Sequence, residues 1–103
     1  MRIKYRVASM QDEEELFELA AKLATSFKLN KGDFSRTYQE ILSNTNADLL
    51  IAESESIIIG YVLAFHHSTF YANGLISYVE EIFVLAEYRG MKIGLTFGKR
   101  STV

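Results

Sequence analysis

The stretch Tyr78-Val79-Glu80-Glu81-Ile82-Phe83-Val84-Leu85-Ala86-Glu87-Tyr88-Arg89-Gly90-Met91-Lys92-Ile93-Gly94 decides the fold. It begins as a strand pattern, passes through a short link at Ala86-Glu87-Tyr88, and reaches a glycine-containing turn after which a helix is predicted to open. Backbone N–H groups at such a helix start have no intrahelical partner and lie at the positive end of the helix dipole, so they suit a phosphate or pyrophosphate. Gly90 and Gly94 let the backbone approach a ligand closely, and Arg89 and Lys92 add positive charge. Spacing alone leaves two readings open: an ordinary strand-to-helix turn with surface cations, or a phosphate cradle.

Working outward, Ile57 to His66 reads as a long strand rich in β-branched and aromatic residues, joined to Asp48–Glu53 by a tight turn at Ser54-Glu55-Ser56. Gly60 inside that strand predicts a bulge or a close backbone approach. Tyr71-Ala72-Asn73-Gly74 is a second turn signal, leading into a strand over Ile76–Leu85. At the amino end, Ile3, Tyr5 and Val7 alternate with Arg2, Lys4 and Arg6, the period of a strand with one buried face. Ser9 with Asp12 forms a capping-box pattern. Leu16, Leu19, Ala20, Leu23, Ala24 and Phe27 then recur at helical spacing, predicting a helix to about Phe27, with Asn30-Lys31-Gly32 as its stop signal. A second helix is expected over Asp33–Ser43 with Phe34, Tyr38, Ile41 and Leu42 inward, followed by turn residues Ser43-Asn44-Thr45-Asn46. Consecutive strands on short turns imply a mostly antiparallel sheet of about four strands with helices packed on it, an α+β domain.

The chain has 103 residues, a formal net charge of −2, 49% apolar and 23% charged residues, and no cysteine. That is one ordinary globular domain. The charge balance argues against a nucleic-acid binder that relies on a basic surface. Absence of cysteine excludes disulfides and thiolate chemistry. The opening Met1-Arg2-Ile3-Lys4-Tyr5-Arg6-Val7 has no apolar segment behind its charges, and no apolar run is long enough to span a bilayer, so a cytoplasmic location is the default expectation and no membrane partner is expected. His66 and His67 are adjacent in a strand and should diverge, and no third ligand is spaced with them, so no metal site is expected.

The element order, together with Val79-Glu80-Glu81-Ile82-Phe83-Val84-Leu85-Ala86-Glu87-Tyr88-Arg89-Gly90-Met91-Lys92-Ile93-Gly94, resembles the GNAT (Gcn5-related) N-acetyltransferase family. In the family's acetyl-CoA motif, Arg or Gln is followed after two residues by Gly and then, one residue further, by Gly or Ala. Arg89 and Gly94 match its ends, and Lys92 stands where the middle glycine would be. The resemblance implies a three-layer GNAT-like α/β arrangement with acetyl-CoA as co-substrate, held by the backbone of Arg89, Gly90, Met91, Lys92, Ile93 and Gly94. It also implies a bulged strand whose Ile82, Phe83 and Val84 pair with the pantetheine arm. The acidic pair Glu80-Glu81 resembles that of the polyamine acetyltransferase branch. A carboxylate is needed because an alkylammonium, with a pKa of about 10.4 for a lysine-like amine, attacks a thioester only after losing a proton. In a regular strand the two side chains face opposite ways. Glu80 is favoured by alignment to the family pattern, and two solvated acids is the plainer reading.

The resemblance places the first two helices at the acceptor site, so Phe27, Asn30 and Tyr38 are candidate substrate contacts, against core packing for the aromatics. No Ser, Cys or Lys nucleophile stands out, which suits direct attack by a small cationic amine. The family's later elements, a fifth strand, a further helix carrying a thiolate-protonating tyrosine, and a final strand pair, have no counterpart in the sequence. Gly98 interrupts the motif helix, and the reading is of a single domain over 1–103 cut short at its carboxyl end. That leaves the Ile76–Leu85 strand with an open edge, so a homodimer is expected, through that edge or an exchanged carboxyl-terminal segment. The competing reading is a catalytically incomplete remnant that binds CoA or pairs strands. A ferredoxin-like regulatory domain fits less well, because two consecutive helices precede three strands.

Overall fold

A computed structural model describes residues 2–24, 28–70 and 74–90, with no side-chain description at 74 and 75. The expectations for Phe27, Met91, Lys92, Ile93 and Gly94, for the turn at 71–73 and for the motif helix lie outside these residues.

Among the described residues four strands form one antiparallel sheet in the order β1 (Lys4–Val7), β2 (Ala47–Ser54), β3 (Ile57–Thr69) and β4 (Gly74–Val84). Two helices, α1 (Glu13–Leu23) and α2 (Lys31–Ser43), follow β1 in the chain and pack on one face of the sheet. Leu16 and Leu19 of α1 and Tyr38 of α2 bury against Leu49, Ile51, Tyr61 and Leu63. The other face is buried at Ala52, Ile59 and Val62, with Ile3, Tyr5, Leu50, Val84 and Tyr88 around them. Among the described residues no helix is long and apolar enough to cross a membrane.

The capping box forms as the sequence predicts, but its first turn, Met10–Asp12, is a 3-10 turn ahead of α1. The Asp12 carboxylate accepts from the Ser9 N–H at 2.8 Å and the Ser9 hydroxyl at 3.2 Å. It also takes both terminal nitrogens of Arg6 at 2.9 Å, and Arg6 reaches on to Glu53 at 3.4 and 3.5 Å. One guanidinium therefore ties β1, the start of α1 and β2 together. Its hydrogen bonds hold the Asp12 carboxyl below its ordinary pKa, against the opposing effect of burial, and raise that of Arg6.

Two expected boundaries are corrected. α1 ends at Leu23, not near Phe27. Ala24 leaves helical geometry at φ −80° and ψ 84°. Asn30 does not stop a helix but starts one. Its backbone is extended, and its side-chain oxygen accepts from the Asp33 N–H at 2.9 Å, so α2 begins at Lys31. Asn suits both helix ends, and the backbone conformation chooses between them.

The β2–β3 hairpin turns on Glu55 and Ser56, with φ of 52° and 68°. Both lie in the left-handed region that a two-residue primed turn demands. Ile59 is the extra residue of a bulge, because Ala52 pairs with Gly60 while Glu53 pairs with Ile58. The expected role of Gly60 is confirmed, since a Cβ there would lie 2.8 Å from the Phe83 carbonyl oxygen.

Candidate active site

The strand β4 is bulged at the acidic pair. Leu63 pairs with Glu81 and Ala64 with Val79, leaving Glu80 as the unpaired extra residue. The consequence is directional. Glu81 shares the helix-side face with Leu63, whereas Val79 sits opposite Ala64 on the other face. Glu80 itself is exposed.

Glu81 lines a partly open cavity of about 330 Å³ between α1, α2 and the sheet. Its remaining wall is mainly apolar, with Leu16, Ala20 and Leu23 from α1, Phe34 and Ile41 from α2, and Leu49 and Leu63 from the sheet. The Tyr61 hydroxyl donates to Glu81 Oε1 at 2.9 Å. Burial first, and then the adjacent carboxylate, raise the Tyr61 pKa, so the phenol stays protonated and remains a donor. The sequence pattern places Tyr61 only within a strand. The signal available was a tyrosine in an otherwise apolar buried face, whose hydroxyl needs a polar partner.

Tyr38 also lines the cavity, but with its ring; its hydroxyl donates to the Ser9 carbonyl at 2.6 Å, and burial pushes its pKa up to about 12. Asn30 is exposed at the start of α2 with its side chain engaged in the cap. The structure thus brings Tyr38 and Glu81 to one cavity, and sets Glu80 and Asn30 on exposed positions.

The side of β4 away from β3 is an edge among the described residues and has its own geometry. The Leu85 N–H donates to the Ile59 carbonyl at 2.9 Å, toward β3. By the alternation of an antiparallel ladder, the backbone groups of Val84 and Ile82 point away from β3, and those of Phe83 point toward it. Of the three residues expected to meet an amide-bearing arm, Ile82 and Val84 present backbone to the edge. Past the 3-10 turn at Ala86–Tyr88, the Arg89 Nε donates to the Val84 carbonyl at 2.9 Å, and its guanidinium lies 5.7 Å from the centre of the Phe83 ring. Gly90 adopts φ of +90°, a conformation that favours glycine.

His66 Nε2 lies 2.6 Å from Asp48 Oδ2, while His67 is exposed. Among the described residues no group of three or more His, Cys, Asp or Glu side chains is placed to hold a metal ion.

No protein-family model matches the chain, and no curated protein matches it significantly. Solved structures do match. Glucosamine-6-phosphate N-acetyltransferase from Arabidopsis thaliana superimposes at a TM-score of 0.80 and 21% identity, over 97% of this chain and 71% of that one. A GNAT family acetyltransferase from Staphylococcus aureus does so at 0.79 and 20%, over 98% and 76%. A protein titled transcriptional regulator from Bacillus halodurans reaches 0.81 at 18% identity, over 98% and 77%. The chain has the GNAT acetyltransferase fold. The third neighbour, described as a transcriptional regulator, shows why a fold alone does not assign the chemistry.

Proposed function

We propose that the chain is an acetyl-CoA-dependent N-acetyltransferase domain that acts on the primary amine of a small cationic substrate. The observation that carries this reading is the bulge at Glu80, which turns the Glu81 carboxylate into a cavity one residue away from the edge of the described sheet. An ammonium beside Glu81 gives up one proton to the carboxylate, directly or through a water. The freed nitrogen attacks the acetyl carbonyl carbon, so a C–N bond forms and the C–S bond breaks. The nitrogen's second proton goes to the departing thiolate, and Glu81 returns its own to solvent. Tyr61, protonated, holds Glu81 in place throughout.

For the co-substrate, the fit is seen in this chain's backbone. Ile82 directs its N–H and C=O, and Val84 its N–H, outward along the β4 edge, as an amide-bearing arm requires; the Val84 carbonyl is taken by Arg89, whose turn with Gly90 lies at the end of that edge. Acetyl-CoA supplies an activated thioester; the chain aligns it. The phosphate of the amino sugar named for the Arabidopsis relative would meet Glu81 and no Lys or Arg among the described cavity residues. Arg89 and Gly90 join residues 91–94 in the proposed pyrophosphate cradle, and the cytoplasm is the proposed setting.

The test is calorimetry with CoA followed by a thiol-release assay. Expected are CoA binding, weakening of that binding by Gly90→Val, and thiol release dependent on both amine and Glu81. Failure of CoA to bind would reject the reading.

The second reading, a self-associating CoA-binding or strand-pairing remnant, is favoured by one observation. Tyr78, Val79 and Ile82 are 57%, 43% and 42% exposed on β4, which is an edge of the described sheet. It requires a dimer by light scattering at micromolar concentration, with no turnover.

A further inference from the structure

An acceptor amine at Glu81 must also satisfy the rest of the cavity, and that wall is selective. Of the described lining residues, Glu81 is the one with a formal charge. The Tyr38 hydroxyl is engaged by Ser9, and the Tyr61 hydroxyl by Glu81. Thr37 is exposed. Polar chemistry is therefore concentrated at Glu81 in a space walled mainly by Leu16, Ala20, Phe34, Ile41, Leu49 and Leu63. The volume, about 330 Å³, is at the lower end of the roughly 300–1,000 Å³ typical of small-molecule sites.

We propose that this cavity takes a primary monoamine carried on an apolar body, an arylalkyl or branched-alkyl amine, with its ammonium at Glu81 and Tyr61 and its body against α1 and α2; this rests on the reading of Glu81 given above. A polyamine would carry its second ammonium into the apolar wall, where no carboxylate among the described lining residues meets it, and buried unpaired charge is strongly disfavoured. An amino sugar would leave several hydroxyls without partners, each at a cost in affinity. A phosphate would add repulsion from Glu81. An apolar body instead releases water from both surfaces.

The experiment is equilibrium binding to the whole chain by calorimetry, with 2-phenylethylamine, 2-phenylethanol, ethylamine, spermidine and glucosamine 6-phosphate as probes. The expected order has 2-phenylethylamine tightest. 2-Phenylethanol and ethylamine are each at least tenfold weaker, one lacking the charge and the other the ring. Glu81→Gln brings the amine down to the level of 2-phenylethanol and leaves 2-phenylethanol unchanged, a pattern that loss of folding would not produce. Ala20→Phe, which fills the cavity, removes binding of both phenyl probes, and circular dichroism verifies its fold. Spermidine or glucosamine 6-phosphate binding as tightly as 2-phenylethylamine would overturn the proposal, as would an affinity for 2-phenylethylamine that Glu81→Gln leaves unchanged. The ligand ranking on the unaltered chain is decisive even if Ala20→Phe does not fold. If the ranking holds but no thiol is released from acetyl-CoA with any amine, the transferase reading fails and the site survives.

Discussion

Two carboxylates in this fold, Asp12 and Glu81, sit in partly or fully enclosed surroundings and are treated in opposite ways. Asp12 is 6% exposed and saturated: Arg6 donates twice, and Ser9 donates from its backbone and its hydroxyl. Glu81 has the Tyr61 hydroxyl as its one hydrogen-bond partner among the described residues, and it faces an apolar cavity. A carboxylate tied by four fixed donors is a strut. One with spare acceptor capacity beside a space large enough for a ligand is free to take a proton or bind a cation. The difference separates the end of the sheet that holds the fold together from the end where the proposed chemistry is placed.

The largest effect that tests this contrast is on turnover. Glu81→Gln is expected to lower kcat/KM for the preferred amine by about 10²–10⁴-fold, the usual worth of a positioned general base, while the chemical denaturation midpoint stays within experimental error of the parent. Asp12→Ala should show the reverse. Removing a buried acceptor from a partly exposed guanidinium, together with a helix cap, is expected to cost about 2–3 kcal/mol in urea unfolding. Specific activity of the folded fraction should be preserved. If Asp12→Ala abolished catalysis without loss of stability, the division of labour would be wrong.

A third measurement uses pH. The pKa of Asp12 is lower folded than unfolded, mainly through its hydrogen bonds from Arg6. Its contribution to stability is therefore fully present above the unfolded value of about 3.9 and is lost as pH falls through the lower folded value. Urea unfolding of the parent should weaken more steeply below about pH 4 than that of Asp12→Asn. Parallel curves would break the assignment. Tyr61→Phe is expected to cost about 1 kcal/mol in stability and to lower kcat about tenfold with little change in KM, because it frees Glu81 to turn without removing it. The smallest effect belongs to the hairpin: Ser56→Gly, relieving a φ of 68°, should stabilise the chain by about 1 kcal/mol and leave turnover unchanged.

Much of the fold was legible because its signals are local. The alternation at Ile3, Tyr5 and Val7, the Ser9–Asp12 cap and the turn residues flanking each strand depend on neighbours within a few positions. Gly60 announced a close approach without naming its partner, the Phe83 carbonyl, which lies across the β3–β4 pair. Asn30 misled because the same side chain can close one helix or open the next. The acidic pair was visible as chemistry, but sequence could not choose between its members. A bulge shifts alternation by one residue, and its position is fixed by pairing with Leu63 and Ala64. Tyr61 was missed because its importance comes from Glu81, a contact twenty residues away in sequence.

By itself, the sequence determined the element order and the antiparallel connectivity, which follow from hydrophobic period and turn chemistry; a role for the acidic pair came from the family resemblance. Tertiary structure decided which acid enters the cavity and which stays in solvent. It also paired Tyr61 with Glu81 and saturated Asp12 with Arg6 and Ser9. Each of those outcomes depends on register and packing between distant segments, where a displacement of one residue reverses the face on which a side chain stands.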